Sequence, residues 1–333
     1  MNMTRVEIVA DSVNVLGNRL ITMEMVYPRI IHAEIMSYCS FARNANSSRA
    51  MTPGSVIKQV RDEGFVPEIW RRADLRGMVP KGRLDSGDAQ KAEEIWIQAL
   101  MDAVRAAEAL DKLKVARELT NRVLEPFAWM RTLVTASWPN WANFLHQRTA
   151  REAQHEIKIL ANKVGLAIAI STPIVLDKSQ WHAPYADLDE PDDRTRLLLS
   201  VARCARVSYK APRQAEWARE QIVEADIGLA MRLQRDAHWS PFEHQALCWV
   251  PNEYKNDDPE AVPAKLRGKF CDGWVQHRKT ISGECYKDFN LKRIGSKKEV
   301  EIQVSDRSTV NWNNFSRELA LSLAKTLNLD VGS

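Results

Sequence analysis

Two runs of mixed hydrophobic and polar residues open the chain, "VEIVADSV" from Val6 and "NVLGNRLITMEMVYP" from Asn14. Their content of β-branched residues predicts strands, and Gly17-Asn18 between them predicts a hairpin turn. Apolar residues continue through "RIIHAEIM" after Pro28, which predicts the start of a helix behind the proline. The polar stretch 37–53 that follows is predicted to be a loop.

Longer segments in the middle of the chain carry hydrophobic residues at helical spacing. From Asp88 to Phe127 the pattern predicts one long helix or two, with these positions on the apolar face: Ile97, Leu100, Val104, Ala107 and Leu110. The stretch "SWPNWANFLHQRTAREAQHEIKILANKVG" predicts a helix that opens after Pro139 and a second apolar stripe closed by Gly165. Further helices are predicted for "RTRLLLSVARCARVSYK", ending near Ser208, and for "QAEWAREQIVEADIGLAMRLQRD".

One segment is typical of a linker. Residues 171–195 contain three prolines and the acidic run "DLDEPDD". This linker would separate a first half, residues 1–170, from a second half, residues 196–333, and we expect the two halves to interleave in one domain. Strands and long helices in the same chain predict an α+β fold.

The bulk composition narrows the class of protein. With 45% hydrophobic and 27% charged residues, the 333-residue chain is typical of globular proteins. A net charge of +4 is too small to predict a surface that wraps a polynucleotide. Five cysteines without a C-x-x-C pair, no leader and no apolar run of about 18 residues predict a cytoplasmic protein outside the membrane.

Phosphate binding must rely on side chains or helix ends, because the sequence has no glycine-rich phosphate motif. Ser47, Arg49 and Asn44 could bind one phosphate together, or they could line a polar surface loop. Arg122 and Arg148 lie in partly apolar helical stretches. There an arginine either faces a ligand or extends along the helix surface into water.

The segment "HWSPFEH", residues 238–244, combines two histidines, an acid and two aromatic rings. His238 and His244 are six positions apart around Pro241, which matches no common zinc spacing, so we predict no metal site. The aromatic residues favour an edge that binds a flat ring. Taken together, the clusters predict a protein that binds a small, phosphorylated, flat-ringed ligand.

These motifs resemble those of the flavin-dependent thymidylate synthases, in the rearranged form found in phages. The signature of that family is Arg-His-Arg, a spacer and then Ser-x-Arg, and "SYCSFARNANSSR" has the same spacing. The resemblance places Ser47 and Arg49 on the nucleotide phosphate. The segment "NRVLEP" resembles a second family motif and places Arg122 on the same phosphate.

Three further segments extend the resemblance over most of residues 5–285. The segment "WANFLHQRTAREAQHEI" is similar to a family signature that places Asn143 on the flavin and Arg148 on the pyrimidine ring. The segments "ARCARVSY" and "HWSPFEH" are similar to those that border the flavin, here with Ser208, His238 and Glu243. In the common form of the family these two segments come first, so the resemblance implies a circular rearrangement.

The resemblance implies a fold and a reaction. The fold is α+β, with a mostly antiparallel sheet packed against long helices. The reaction transfers one carbon from methylenetetrahydrofolate to C5 of a pyrimidine deoxynucleotide, dUMP above all, with FAD and NADPH as cofactors. Arg148 would be the catalytic residue, because a cation stabilises negative charge on the ring. The resemblance also implies a homotetramer in the host cytoplasm.

The chain departs from the family where Ser37, Tyr38 and Cys39 replace Arg-His-Arg. Without these cations a diphosphate cofactor or an acidic folate is held less firmly. Two alternatives therefore stay open: a nucleotide-binding partner subunit that completes a mixed oligomer with a paralogue, and a dUMP or dCMP hydroxymethylase for modified phage DNA. We expect Cys39 to be a buried, inert thiol rather than a nucleophile.

Overall fold

The computed structural model describes residues 3–73, 82–186, 192–208, 218–249, 264–271 and 273–284. Residues 1–284 form one compact unit. A role for residues 286–333 lies outside the described residues. None of the helices in the described part of the chain has the length and hydrophobicity that crossing a bilayer requires.

The main sheet has five strands in the order β3-β4-β2-β1-β5. Strands β1 (Arg5–Val13) and β2 (Arg19–Pro28) form the predicted hairpin, and Gly17 takes the positive φ of 79° that its turn requires. Strand β4 (Trp129–Ser137) pairs antiparallel with β2 and with β3 (Ala42–Ala45). Strand β5 (Ile174–Val175) adds a short parallel pair beside β1. The predicted α+β class with a mostly antiparallel sheet is confirmed.

Helices surround this sheet, and several begin at a side chain that accepts a backbone N–H. The Asp85 carboxylate accepts from Asp88 N at the start of α3, and Asp192 accepts from Thr195 N at the start of α7. The helices are α1 (His32–Met36), α2 (Pro53–Glu63), α3 (Ser86–Lys112), α4 (Arg117–Thr120), α5 (Trp138–Arg148), α6 (His155–Ile170), α7 (Asp193–Ala205), α8 (Arg219–Arg235), α9 (Ala264–Arg267) and α10 (His277–Thr280). Short 3₁₀ turns cover Asn121–Phe127, Arg206–Ser208 and Ser240–Glu243.

Several details differ from the sequence predictions. The segment 37–53 is not simply a loop, because it contains the edge strand β3, whose backbone bonds to β4. Helix α6 runs through Gly165 to Ile170, since helix packing outweighs the small cost of one glycine. The segment 171–195 contributes strand β5 and strand β6 (Trp181–His182) to the sheets. Ile97 is 43% exposed rather than part of the apolar face.

Helices α5 and α6 pack on one face of the main sheet and form the core there. This core includes the fully buried side chains of Met23, Tyr27, Trp141, Phe144 and Leu160. Burying each large apolar side chain contributes about 1.5–3 kcal/mol. A second, antiparallel sheet of β6, β7 (Ala246–Cys248) and β8 (Trp274–Gln276) packs against the other face.

A buried chain of hydrogen bonds connects the two sheets. The His182 ring bonds to Ser12 Oγ at 2.9 Å and to Thr22 Oγ1 at 2.8 Å. Thr22 bonds to Thr135 at 2.6 Å, and Thr135 bonds to His244 Nδ1 at 2.8 Å. Both histidines are almost completely buried, and burial lowers the pKa of each to about 3.

These two histidines should make the protein sensitive to acid. The pKa of an unfolded histidine is about 6.5, so the unfolded chain binds more protons between pH about 6.5 and about 3. The free energy of unfolding should therefore fall as the pH decreases through this window, by about 1.4 kcal/mol per pH unit for each histidine. Urea denaturation between pH about 7 and about 4 measures the slope.

A matched pair of variants tests the assignment. His244→Asn can still bond to Thr135 but does not titrate, so its slope should be shallower than that of the unmodified protein. His146→Asn changes an exposed histidine on α5 and should keep the original slope. An unchanged slope in His244→Asn would show that His244 does not cause the acid sensitivity.

Candidate functional site

The segment 47–51, here called the phosphate loop, follows β3 directly. Ser47 Oγ accepts a hydrogen bond from Arg49 N at 3.2 Å. The Asn121 side-chain amide donates to Ser48 O at 2.8 Å and to Met51 O at 3.1 Å. Because Asn121 precedes Arg122, the element that holds the loop also carries Arg122. The structure thus brings the loop with Ser47 and Arg49 onto the segment of Arg122.

The charges around the phosphate loop are mostly positive. Arg49 is exposed, and its guanidinium has no partner among the residues that the structure describes. Arg122 pairs with Glu125 at 2.7 Å, and Glu125 also pairs with Arg29 at 2.6 Å. One carboxylate therefore faces two guanidiniums, which leaves a net positive charge at this pair of arginines that suits a phosphate.

A histidine that sequence reasoning missed lies near these arginines. Tyr27 Oη bonds to His32 Nδ1 at 2.9 Å and to Thr132 Oγ1 at 2.8 Å. Burial, together with the charges of Arg29 and Arg43, lowers the pKa of His32 to about 4. His32 is therefore neutral near pH 7. A lone histidine in the apolar run "RIIHAEIM" was the available signal.

Arg148 lies at the end of α5 and is held by two residues of the opposite segment. Its Nε donates to Tyr38 Oη at 2.8 Å, and its Nη1 donates to Glu34 Oε2 at 2.6 Å. The guanidinium carbon also lies 5.5 Å from the centre of the Tyr38 ring, within cation–π distance. The side chain is 23% exposed, so a ligand can reach it.

Asn143 connects to Arg148 through a chain of side chains. Gln147 Nε2 donates to Asn143 Oδ1 at 3.1 Å, and Gln147 Oε1 accepts from Tyr38 Oη at 2.8 Å. We call Glu34, Tyr38, Asn143, Gln147 and Arg148 the Arg148 cluster. Tyr38, which replaces the histidine of the family motif, thus orients the arginine. Glu34 and Gln147 were missed because no motif gives either residue a role, although Gln147 lies within the segment that carries Asn143 and Arg148.

Helix α1 connects the Arg148 cluster to the strand that leads into the phosphate loop. Arg43 Nη1 on β3 donates to Ile35 O at 3.0 Å and to Met36 O at 2.7 Å, at the end of the helix that carries Glu34. Cys39, in the turn after this helix, is exposed, so the expectation of a buried thiol is wrong. Its Sγ lies 3.7 Å from Ser37 O.

The residues predicted from the second half of the chain lie on other elements, and the 3₁₀ turns Arg206–Ser208 and Ser240–Glu243 among these contact β3. Glu243 is buried between Lys269 Nζ at 2.7 Å and Arg278 Nη1 at 2.5 Å. His238 is exposed beyond the end of α8. Ser208 ends a 3₁₀ turn, and its side chain lies outside the described residues. Lys269 Nζ also donates to Phe41 O at 3.3 Å, which joins Glu243 to the segment before β3.

Part of the chain matches a known protein family. Residues 19–174 match the Thy1 family, thymidylate synthase complementing protein. The family resemblance that the motifs predicted is thereby confirmed over just under half of the chain. The phosphate loop, Arg122 and the Arg148 cluster lie inside this Thy1 region, whereas Ser208, His238 and Glu243 lie outside it. The circular rearrangement stays a prediction.

Solved structures show weak similarity to the chain. A structure of the UMP/dUMP methylase PolB from Streptomyces cacaoi, bound with 5-Br UMP, is 18% identical with a TM-score of 0.44, and the match covers 51% of this chain and 90% of PolB. Thymidylate Synthase X (ThyX) from Helicobacter pylori, with FAD and dUMP, is 13% identical with a TM-score of 0.31, and the match covers 45% of this chain and 67% of ThyX. No curated protein matches significantly.

The residues expected to contact flavin lie on different elements of the chain. Asn143 belongs to the Arg148 cluster of the Thy1 region, whereas His238 is exposed on a different element. Both oxygens of Glu243 are engaged by cations, which leaves little capacity for a ligand. The flavin contacts of Asn143, Ser208, His238 and Glu243 stay a prediction.

Proposed function

We propose that this protein binds a pyrimidine deoxynucleotide, dUMP first of all, and transfers one carbon from methylenetetrahydrofolate to its C5. The observation that carries the proposal is the Thy1 match over residues 19–174, which includes a phosphate loop bonded to Asn121, the neighbour of Arg122, and a reachable, oriented Arg148. The arginines and the ring-facing cluster together supply both ends of a nucleotide site.

The phosphate loop and Arg122 would hold the nucleotide phosphate. Arg49 has no competing partner among the described residues, and the Ser47 hydroxyl lies two positions before it on the same turn. Arg122 would exchange part of its contact with Glu125 for a phosphate oxygen. Such contacts position the substrate rather than perform the chemistry.

Arg148 would contact the pyrimidine ring. A guanidinium has five N–H donors, and the contacts to Tyr38 and Glu34 use two of them. The remaining donors can bind a ring carbonyl oxygen. A cation placed there stabilises the negative charge that develops on the ring when C5 attacks an electrophilic carbon. The bonds to Tyr38 and Glu34 orient the group before the substrate arrives.

The cofactors and assembly belong to the same proposal. FAD and NADPH are proposed as the source of reducing equivalents, and FAD when bound would supply hydride. Asn143 is the proposed flavin contact that lies with Arg148. We further propose a homotetramer or a mixed oligomer with a paralogue, and a division of the chain at residues 171–195.

A second candidate function is a nucleotide-binding partner subunit with lost or partial catalysis. The observation that favours it is the identity of Ser37, Tyr38 and Cys39, where the family has cations. Tyr38 bonds to Arg148 and Gln147, so it does not act as a free cationic contact. A dUMP or dCMP hydroxymethylase is a variant of the first proposal, in which the transferred carbon becomes a hydroxymethyl group instead of a methyl group.

Calorimetric titration with dUMP, dCMP and deoxyuridine tests the proposed site. We expect dUMP to bind at least tenfold more tightly than deoxyuridine, which lacks the phosphate. Arg49→Gln and Arg122→Gln should each weaken dUMP binding about tenfold and leave deoxyuridine binding unchanged. Arg117→Gln changes an exposed arginine on nearby α4 and serves as the matched control.

The reaction is tested with dUMP that carries tritium at C5. Release of tritium in the presence of methylenetetrahydrofolate, FAD and NADPH would support the transferase. Nucleotide binding without tritium release, and without a flavin absorbance band after gel filtration, would favour the partner subunit. Failure of dUMP to bind, or binding unaffected by either arginine variant, would contradict both candidates.

A further inference from the structure

A cavity of about 160 Å³ lies between the end of β2, the segment after α2 and the start of α6. Its walls include Phe65, Glu68, Trp129, His155, Glu156 and Ile159. None of the residues assigned to the nucleotide site lines it, and its described lining contains neither lysine nor arginine. The cavity is therefore a separate site with the opposite charge.

Two aromatic rings form a fixed wall of this cavity. Phe65 and Trp129 pack edge to face, with ring centres 5.7 Å apart and planes at 90°. Trp129 Nε1 donates to Glu63 O at 2.7 Å, and Trp96 Nε1 donates to Phe65 O at 2.8 Å. These bonds hold both aromatic residues in place. A fixed aromatic face attracts apolar groups and cations.

Glu156 adds a buried negative charge. The residue is only 8% exposed, and its Oε2 accepts a hydrogen bond from Gln154 Nε2 at 2.8 Å. No cationic side chain pairs with it among the described residues. Glu156 lies in the first turn of α6, where the positive end of the helix favours a negative charge. A cationic ligand that pairs with a buried carboxylate offsets part of the free-energy cost of burying that charge without a counter-ion.

A second acid lies at the opening of the cavity. The Glu68 side chain is 50% exposed, and its Oε2 lies 3.8 Å from His155 Nε2. One histidine cannot neutralise two carboxylates, so the lining keeps a net negative charge. This charge excludes a nucleotide phosphate and favours a positively charged guest.

We propose that this cavity binds a small organic cation: a protonated amine or a guanidinium on a short apolar or aromatic stem. The charged group would pair with Glu156, and the stem would lie against Phe65 and Trp129. The volume resembles that of a protein cavity known to hold benzene, so a guest of about six to ten non-hydrogen atoms fits.

Benzylamine is a suitable probe, and benzyl alcohol is its neutral match. Calorimetry should show that benzylamine binds at least tenfold more tightly than benzyl alcohol and that added salt weakens its binding. Glu156→Gln keeps the shape of the side chain and should weaken benzylamine binding at least tenfold. Glu152→Gln, an exposed acid in the turn before α6, should leave it unchanged.

Three results would overturn the proposal: equal binding of benzylamine and benzyl alcohol, full affinity in Glu156→Gln, or equally tight binding of ammonium ion alone. The last result would identify a site for a simple cation. If Glu156→Gln does not fold, Glu68→Gln at the opening replaces it, with an expected loss of about threefold in benzylamine affinity. In that case, no loss in Glu68→Gln would overturn the proposal.

Discussion

Replacing Arg148 by lysine is expected to lower kcat/KM for dUMP by about a hundredfold or more. The Arg148 guanidinium uses Nε to bond to Tyr38 and Nη1 to bond to Glu34, which leaves other donors for the pyrimidine ring. A lysine ammonium cannot make these directed bonds at once, because its charge is compact and its stem is flexible. Steady-state tritium release from C5-labelled dUMP measures the loss.

Two companion variants separate ring binding from general damage. Arg151→Lys changes an exposed arginine in the turn after α5 and should keep full activity. Tyr38→Phe keeps the ring but removes the hydroxyl that bonds to Arg148 and Gln147, and it should lower kcat about tenfold with a smaller change in KM. Unaltered turnover in Arg148→Lys would remove Arg148 from the proposed mechanism.

Replacing Glu243 by glutamine is expected to lower the free energy of unfolding by about 3 kcal/mol. Glu243 is 6% exposed, and its two oxygens pair with Lys269 and Arg278. Glutamine fills the same space but leaves both cations without their partly buried counter-charge. Urea denaturation near neutral pH measures the difference in the free energy of unfolding. The m-value should stay the same, so the loss of stability appears as a lower midpoint concentration of urea.

The same variant distinguishes a structural role from the flavin contact that the motif implied. Glu224→Gln, at an exposed position on α8, is the matched control and should change stability by less than about 0.5 kcal/mol. If Glu243→Gln is as stable as this control and yet loses the flavin absorbance band, Glu243 contacts the cofactor after all. Loss of stability would support the ion-pair role that the geometry indicates.

The local sequence pattern was sufficient to predict the elements whose residue types and spacing are typical of a strand or a helix. The β1–β2 hairpin was predicted from its β-branched residues and the Gly17-Asn18 turn, and helix α7 from apolar residues at helical spacing. Strand β3 was missed because its residues, "ARNA", carry no strand pattern and its backbone bonds to β4 decide its structure. Tertiary contacts similarly carry α6 through Gly165.

The candidate site was predictable in part. The resemblance to family motifs predicted Ser47, Arg49, Arg122 and Arg148 as site residues, and their roles stay predictions. Asn121 was not identified, although it fixes the phosphate loop across more than 70 positions of sequence. An amide that bonds to backbone carbonyls far along the chain has no signature in its own neighbourhood.

The sequence by itself determined the α+β class, which follows from local periodicity, and the resemblance to the Thy1 family, which the match over residues 19–174 confirms. Only the tertiary structure decided that Tyr38 orients Arg148 and that Glu243 is closed off by two cations. It also revealed the acidic, aromatic cavity beside Glu156. The reason is physical: burial and long-range hydrogen bonding select each partner, and residues far apart in sequence supply it.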